Sequence, residues 1–316
     1  MNTQAESHQS TIQPRSQVEK SIDNGFIWLT RIFAIAVAAL LLWIAVQVAI
    51  QAGPAMQEFG LGFLAKSAWN PVTNDYGVLP QIYGTLMSAF IGLLIAVPIG
   101  VGTAVLLSES LLPLPVKTVI VFLVELLAAI PSVVYGVWAI FVLIPILTGI
   151  GKWLNANFGW IPLFSTVPTG PGLLPAGVIL AIMVLPIITA ISRDALIAVP
   201  SSLRQAAVGL GATRWETIFK VLIPAAFSGI VSAVMLALGR AMGETMAVTM
   251  IIGNANTISP SLFAPSNTIS SLLANQFAEA SGLQVSALMY AALVLFVLTL
   301  IVNILAELIV LRVKRL

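Results

Sequence analysis

Residues 82–107 read Ile82-Tyr-Gly-Thr-Leu-Met-Ser-Ala-Phe-Ile-Gly-Leu-Leu-Ile-Ala-Val-Pro-Ile-Gly-Val-Gly-Thr-Ala-Val-Leu-Leu107. The run carries no charge and lies in a charge-free interval bounded by Asp75 and Glu109. A helix needs about 20 mainly apolar residues to cross the hydrocarbon core of a bilayer. This run is long enough to be such a helix.

The same reading, carried outward, finds five more. They fall at residues 27–50, 118–147, 173–192, 225–252 and 285–311. The third contains Glu125, the fifth contains Arg240 and Glu244, and the last contains Glu307. Composition agrees. Apolar residues make up 59% of the 316 and charged residues only 8%, and the mean hydropathy is +1.04. A soluble domain carries roughly a quarter charged residues. The expected fold class is an all-α integral membrane protein with about six transmembrane helices.

Between the spans the turn-formers collect, at 52–80, 149–172 and 253–282. Residues 1–25 are polar and do not read as a cleaved signal peptide. They are expected to form a cytoplasmic, disordered tail. Residues 26–81 would hold the first span and an outer loop. With six spans, eleven Lys and Arg fall on the side of the termini: Arg15, Lys20, Arg31, Lys117, Arg193, Arg204, Arg214, Lys220, Arg312, Lys314 and Arg315. The other side holds two, Lys66 and Lys152. The positive-inside rule then places both termini in the cytoplasm.

Several chemistries are excluded. The chain has no cysteine, and its one histidine, His8, lies in the polar tail. No carboxylate cluster suggests a metal, and no serine–histidine–acid set survives. A net charge of +2 gives no nucleic-acid footprint. There is no Gly-x-x-x-x-Gly-Lys-[Ser/Thr] motif, so the chain has no P-loop for ATP. The chain is not expected to be an enzyme or to hold a cofactor, and any ATP and magnesium that its activity requires would be bound by a partner.

Two stretches carry the functional reading. The first is the loop between the fourth and fifth spans, Pro200-Ser-Ser-Leu-Arg-Gln-Ala-Ala-Val-Gly-Leu-Gly-Ala-Thr-Arg-Trp-Glu-Thr-Ile-Phe-Lys-Val-Leu-Ile-Pro224. Two short helices fit it. Ser201 or Ser202 can cap the first, which ends at Gly209 or Gly211. Thr213 can cap the second, with Glu216 completing a capping box. It reads either as an amphipathic linker or as a docking element for a partner. The second stretch is Arg240-Ala-Met-Gly-Glu244 in the fifth span. On a continuous helix residues four apart share a face, so Arg240 and Glu244 can neutralise each other. Gly239 and Gly243 beside them permit close approach of another helix. A guanidinium in a partly desolvated cavity suits an oxyanion such as phosphate. A packing ion pair with no contact to substrate is the alternative. Glu125 reads either as a buried acid of the bundle or as a second charged member of a pathway. Ile130-Pro131-Ser132 would kink the span or open backbone groups to a cavity.

The 200–224 loop resembles the Glu-Ala-Ala loop of ABC importer permeases. Gln205-Ala206-Ala207 takes the triplet, Gly211 the glycine, and Val221-Leu222-Ile223-Pro224 the ending, at the family's spacing. Gln205 replaces the usual glutamate. The resemblance implies a type I importer permease core over residues 82–312, residues 313–316 as a cytoplasmic end, and a loop that docks on an ATPase. Arg240 to Asn254 is similar to the PstC-type permeases of phosphate importers. That resemblance implies that Arg240 and Glu244 serve phosphate passage. It also implies a heterodimer with a sister permease, two ATPase subunits and a periplasmic phosphate-binding protein, in a bacterial inner membrane. Sulfate or molybdate as substrate, or a stand-alone secondary transporter, are the rival readings.

Overall fold

The structure is a computed structural model that describes residues 17–313. Most of the expected tail, with His8 and Arg15, lies outside the described residues, as does 314–316. Of the described residues, those up to Ile50 form one compact unit and those from Gln51 onward a second.

Helix α1 runs Gln17–Phe59. It therefore begins inside the stretch expected as a tail. It also continues past the expected loop boundary at residue 52, because Ala52 and Ala55 are fully buried in a cluster with Phe63, Tyr76, Leu272 and Tyr290. A short hairpin follows, β1 (Trp69–Asn70) and β2 (Asp75–Tyr76), with Asn74 in the left-handed region at φ 50°. Then come α2 (Leu79–Ser108), α3 (Leu114–Ala129), α4 (Ser132–Trp138), α5 (Ile144–Phe158) and α6 (Leu173–Ile197). The loop region supplies α7 (Ser201–Gly209) and α8 (Arg214–Thr217). Helices α9 (Ile223–Gly243), α10 (Met246–Ile251), α11 (Ile269–Gln276) and α12 (Leu283–Val313) complete the chain.

Among the described residues, six helical segments are long and apolar enough to cross a membrane: 20–64, 79–108, 132–158, 173–197, 214–243 and 283–308. Helices are the natural solution, because the hydrocarbon core offers no water to backbone N–H and C=O groups.

The third span departs from expectation. The window 118–147 is not one helix. It breaks at Ile130–Pro131, where Pro131 is extended at φ −61° and ψ 143°. Helix α3 has 16 residues, a length of about 24 Å at 1.5 Å per residue, which is too short to span alone. The apolar segment long enough to cross is displaced to 132–158. Pro131 cannot donate to the carbonyl of Leu127, four residues back. The Tyr135 hydroxyl donates to that carbonyl instead, at 2.7 Å. The proline therefore splits the segment rather than kinking it, and the tyrosine repairs the orphaned acceptor.

Two other prolines are accommodated by widening the helix. π-turns occur at Ala139–Leu143 and Ile218–Leu222, each directly before an Ile-Pro pair that opens the next helix. In them Ile144 donates to Ala139 and Ile223 to Ile218. Each π-turn ends just before its proline, so Pro145 and Pro224, which have no N–H to donate, fall in the first turn of the helix that follows.

The core is the α2–α6 pair, held close by glycines. A Cβ added at Gly177 would lie 2.4 Å from Ile91, and one at Gly100 would lie 2.8 Å from Ile188. Small residues at these points let the backbones approach, which is how helices gain packing in lipid. At the hairpin end the irregular stretch 253–268 is exposed or half-buried in its first half, mostly buried from Ser261 onward, and bonded to its surroundings. Gly172 donates to the carbonyl of Ile251 at 2.9 Å, Leu174 to Leu262 at 2.8 Å and Ser266 to Ile252 at 3.0 Å. Gln81 and Asn267 both donate to the Asn256 side-chain oxygen, at 2.8 and 3.0 Å.

Gly84 seats α2 against this loop. A Cβ there would come within 2.0 Å of the Asn267 carbonyl oxygen. Gly84→Ala is therefore expected to cost about 1–3 kcal/mol by overpacking. Gly102→Ala, on the same helix with open space around it, is expected to be neutral or to stabilise by up to ~1 kcal/mol. Thermal unfolding of the two variants in detergent measures the difference.

Candidate functional site

Arg240 sits near the end of α9, which stops at Gly243. Glu244 is extended, at φ −66° and ψ 125°. The helix that sequence spacing assumes between the two residues is therefore broken, and they do not share a helix face. Among the described residues the ion pairs are Lys66–Asp75, Arg204–Glu109 and Lys220–Glu216. Arg240 and Glu244 do not form one. The Glu244 carboxylate instead accepts from the Ala247 backbone N–H at 3.3 Å, at the start of α10. Gly243 favours helix weakly, and a carboxylate is stabilised beside the free N–H groups that open a helix. Both effects favour the break. Thr245 closes it by donating its hydroxyl to the Gly243 carbonyl at 3.1 Å.

Arg240 is exposed on the surface of the chain. It lines an open, largely apolar groove of about 720 Å³ with Ile187, Met235, Leu236, Gly239 and Asn303. A Cβ added at Gly239 or Gly243 would meet nothing within 4 Å. Among the described residues no helix takes the close approach those glycines offer. Asn303, on α12, escaped the sequence reading. Its signal was available, since it is a carboxamide within the otherwise apolar run 300–305.

Glu125 is exposed on α3, a helix with no buried residue. It is thus not a buried acid of the bundle, and no hydrogen bond or ion pair joins it to Arg240. It is not among the residues that line the Arg240 groove.

The 200–224 loop forms the two short helices that its sequence suggests. The cap of α7 is Pro200, extended at φ −54° and ψ 132°, rather than either serine. Proline's fixed φ suits this position, so no side-chain cap is used. After α7 the backbone turns at Gly211, with φ 84°. Gly211 donates to Val208 at 2.9 Å and Ala212 to Ala207 at 3.0 Å, the two bonds of a Schellman ending. Thr213 and Glu216 form the reciprocal capping box, with Thr213 N–H donating to the Glu216 carboxylate at 3.0 Å and Glu216 N–H to the Thr213 hydroxyl at 3.3 Å. Gln205 and Ala206 face outward, whereas Ala207 is buried. Val208, Leu210, Trp215 and Phe219 are exposed, Leu210 at 90%. An apolar patch on a short, fully capped helical turn is a surface built for contact.

Broken helices inside an apolar bundle, an outward-facing arginine and a capped helical loop are the features that the comparisons with known proteins have to account for. Residues 96–315 match the family of binding-protein-dependent transport system inner membrane components, and the chain belongs to that family. It is 47% identical over 290 residues to the phosphate transport system permease protein PstC of Mesorhizobium japonicum, covering 90% of this chain and 88% of that protein. It is 45% identical to the same-named protein of Pasteurella multocida, covering 90% and 91%. A probable PstC of Methanocaldococcus jannaschii is 40% identical over 79% of this chain and 82% of its own length. These relatives bear out the resemblance drawn from residues 240–254. Two solved transporters share the fold. The inward-facing MetNI methionine ABC transporter matches with a TM-score of 0.51 at 22% identity, covering 75% of this chain and 94% of that one. A bacterial ABC transporter that imports alginate matches with a TM-score of 0.57 at 16% identity, covering 95% and 99%. The chain is an integral membrane permease of the ABC type.

The left-handed Gly211 gives a direct test of the loop. An L-residue there costs about 1–2 kcal/mol. Gly211→Ala is expected to speed hydrogen exchange at the Gly211 and Ala212 amides roughly tenfold, with the spans unaffected.

Proposed function

We propose that this chain is one of two membrane subunits of an ATP-driven phosphate importer, and that Arg240 lies on the phosphate path. One observation carries this reading. Arg240 is exposed, and among the described residues nothing packs against the Gly239 and Gly243 positions beside it. An arginine facing lipid within an apolar segment is costly. The cost is avoided if a second permease covers the face and water fills the space between them. The names of the relatives support phosphate as the cargo.

Within that frame each part has a task. Both termini and the 200–224 loop are cytoplasmic, as the distribution of Lys and Arg requires. A periplasmic binding protein delivers phosphate at the hairpin end. Two ATPase subunits, holding ATP and magnesium, dock on the exposed patch of α7 and α8. Gln205, being neutral, offers the ATPase a hydrogen bond where the usual glutamate offers a charge. Closure of the ATPase pair moves the loop, and the loop moves the spans. Arg240 attracts the anion by charge and by its planar set of donors. The Asn303 amide supplies a second polar group to the same groove. Glu244 holds the start of α10, so that the opened backbone at 243–245 stays beside the arginine.

Reconstitution of the complete importer in liposomes tests the reading. Wild-type protein is expected to take up labelled phosphate when ATP is supplied, with sulfate and molybdate failing to compete. Arg240→Ala is expected to lower uptake at least ~100-fold, the loss of a charge-assisted contact of about 3 kcal/mol, while the complex still assembles. Normal uptake by Arg240→Ala would refute the role given to the arginine.

A further inference from the structure

The ion pair Glu109–Arg204 joins two parts of the chain that are 95 residues apart. Glu109 caps the end of α2, its N–H donating to Val105 at 3.1 Å. Its carboxylate accepts from Nη2 of Arg204, on α7, at 2.7 Å. Lys117, at the start of α3, donates to the Glu109 backbone carbonyl. The Glu109 side chain is only 15% exposed and that of Arg204 35%, whereas every side chain of the other two ion pairs is at least 44% exposed. Exposed pairs contribute little, and a partly buried pair is screened less by salt. The pair borders a small cleft with Ser110, Arg214 and Thr217.

Its position has a mechanical consequence. The 200–224 loop is continuous in sequence with α6 and α9 and has no covalent link to α2. Below the pair, Ala104 and Val105 of α2 meet Leu196 and Val199, at the end of α6, and Ile218 and Leu222 of the loop in one apolar cluster. Apolar contacts can slide, whereas a single charged contact has a direction and a length. Helices α2 and α6 are interlocked further along at Gly92, Gly100 and Gly177. A pull on Arg204 therefore reaches both helices at once.

We propose that Glu109 and Arg204 are positioning residues that fasten the coupling loop to α2, so that movement of α7 drives the α2–α6 pair as one body. The inference rests on the importer reading above. Neither residue touches the anion, and their effect is on the amount of transport obtained from each ATP.

The test uses the complete importer in liposomes, reading phosphate moved per ATP hydrolysed. Glu109→Gln and Arg204→Gln are each expected to lower this ratio at least ~fivefold while hydrolysis continues. Arg204→Lys keeps the charge of a contact made by one nitrogen, and is expected to retain more than half of the wild-type ratio. A wild-type ratio in both glutamine variants would overturn the proposal, as would Arg204→Lys performing no better than Arg204→Gln. A double-mutant cycle of Glu109→Gln and Arg204→Gln, followed by thermal unfolding of the purified chain in detergent, covers any variant that fails to assemble. Additive effects would overturn the proposal. So would an interaction in the cycle with no change in the transport ratio, since that would describe a static fastening. A wild-type importer that moves no phosphate would refute the importer reading instead, and the cycle would then decide on the pair alone.

Discussion

A bilayer gives the backbone nothing to bond to, and the rest of this structure depends on that constraint. Every interruption of a helix must be repaired by the protein itself. The repairs are specific. Pro131 orphans the Leu127 carbonyl, and the Tyr135 hydroxyl takes it. Pro145 and Pro224 each follow a π-turn and open the next helix. The gap between α9 and α10 is closed by the Glu244 carboxylate and the Thr245 hydroxyl. The irregular stretch 253–268 is bonded strand-fashion to its neighbours.

The repaired gap at 243–245 is where chemistry and architecture meet. Glu244 is used by the backbone, which leaves Arg240 without an internal partner and facing outward. A continuous α9 would bring the two charges together four residues apart, and the arginine would be neutralised inside its own helix. The break turns a self-compensating pair into an available cation beside open backbone. Irregular backbone at membrane depth is tolerated where it lines a cavity or is covered by protein. The open glycine face at 239 and 243 fits the same arrangement, since it leaves room for a second subunit.

Much of this was legible in the residues. Long apolar runs located five of the six spans, because span length follows directly from the thickness of hydrocarbon. The 200–224 loop was legible to the level of its capping box, because Thr213, Glu216 and Gly211 act through bonds to near neighbours in sequence. What was missed depends on distant partners. The third window looked continuous because Pro131 alone does not say whether a helix bends or breaks, and the tyrosine that stabilises the break contributes only a hydroxyl. The Arg240–Glu244 spacing misled because it presumes a helix through Gly243. Asn303 and the Glu109–Arg204 contact required knowledge of which helices lie side by side.

The central claim is that the Arg240 face of α9 lines a water-filled path covered by a second subunit. The chain has no cysteine, so one introduced thiol reports alone. The decisive measurement is labelling of Gly243→Cys in the assembled importer by a small, charged, water-soluble thiol reagent, with Leu42→Cys as a comparison from the exposed apolar surface of α1. The account predicts that Cys at 243 reacts, that phosphate slows the reaction, and that the thiol at 42 stays silent. Equal silence at both positions would place the Arg240 face in lipid and contradict the account.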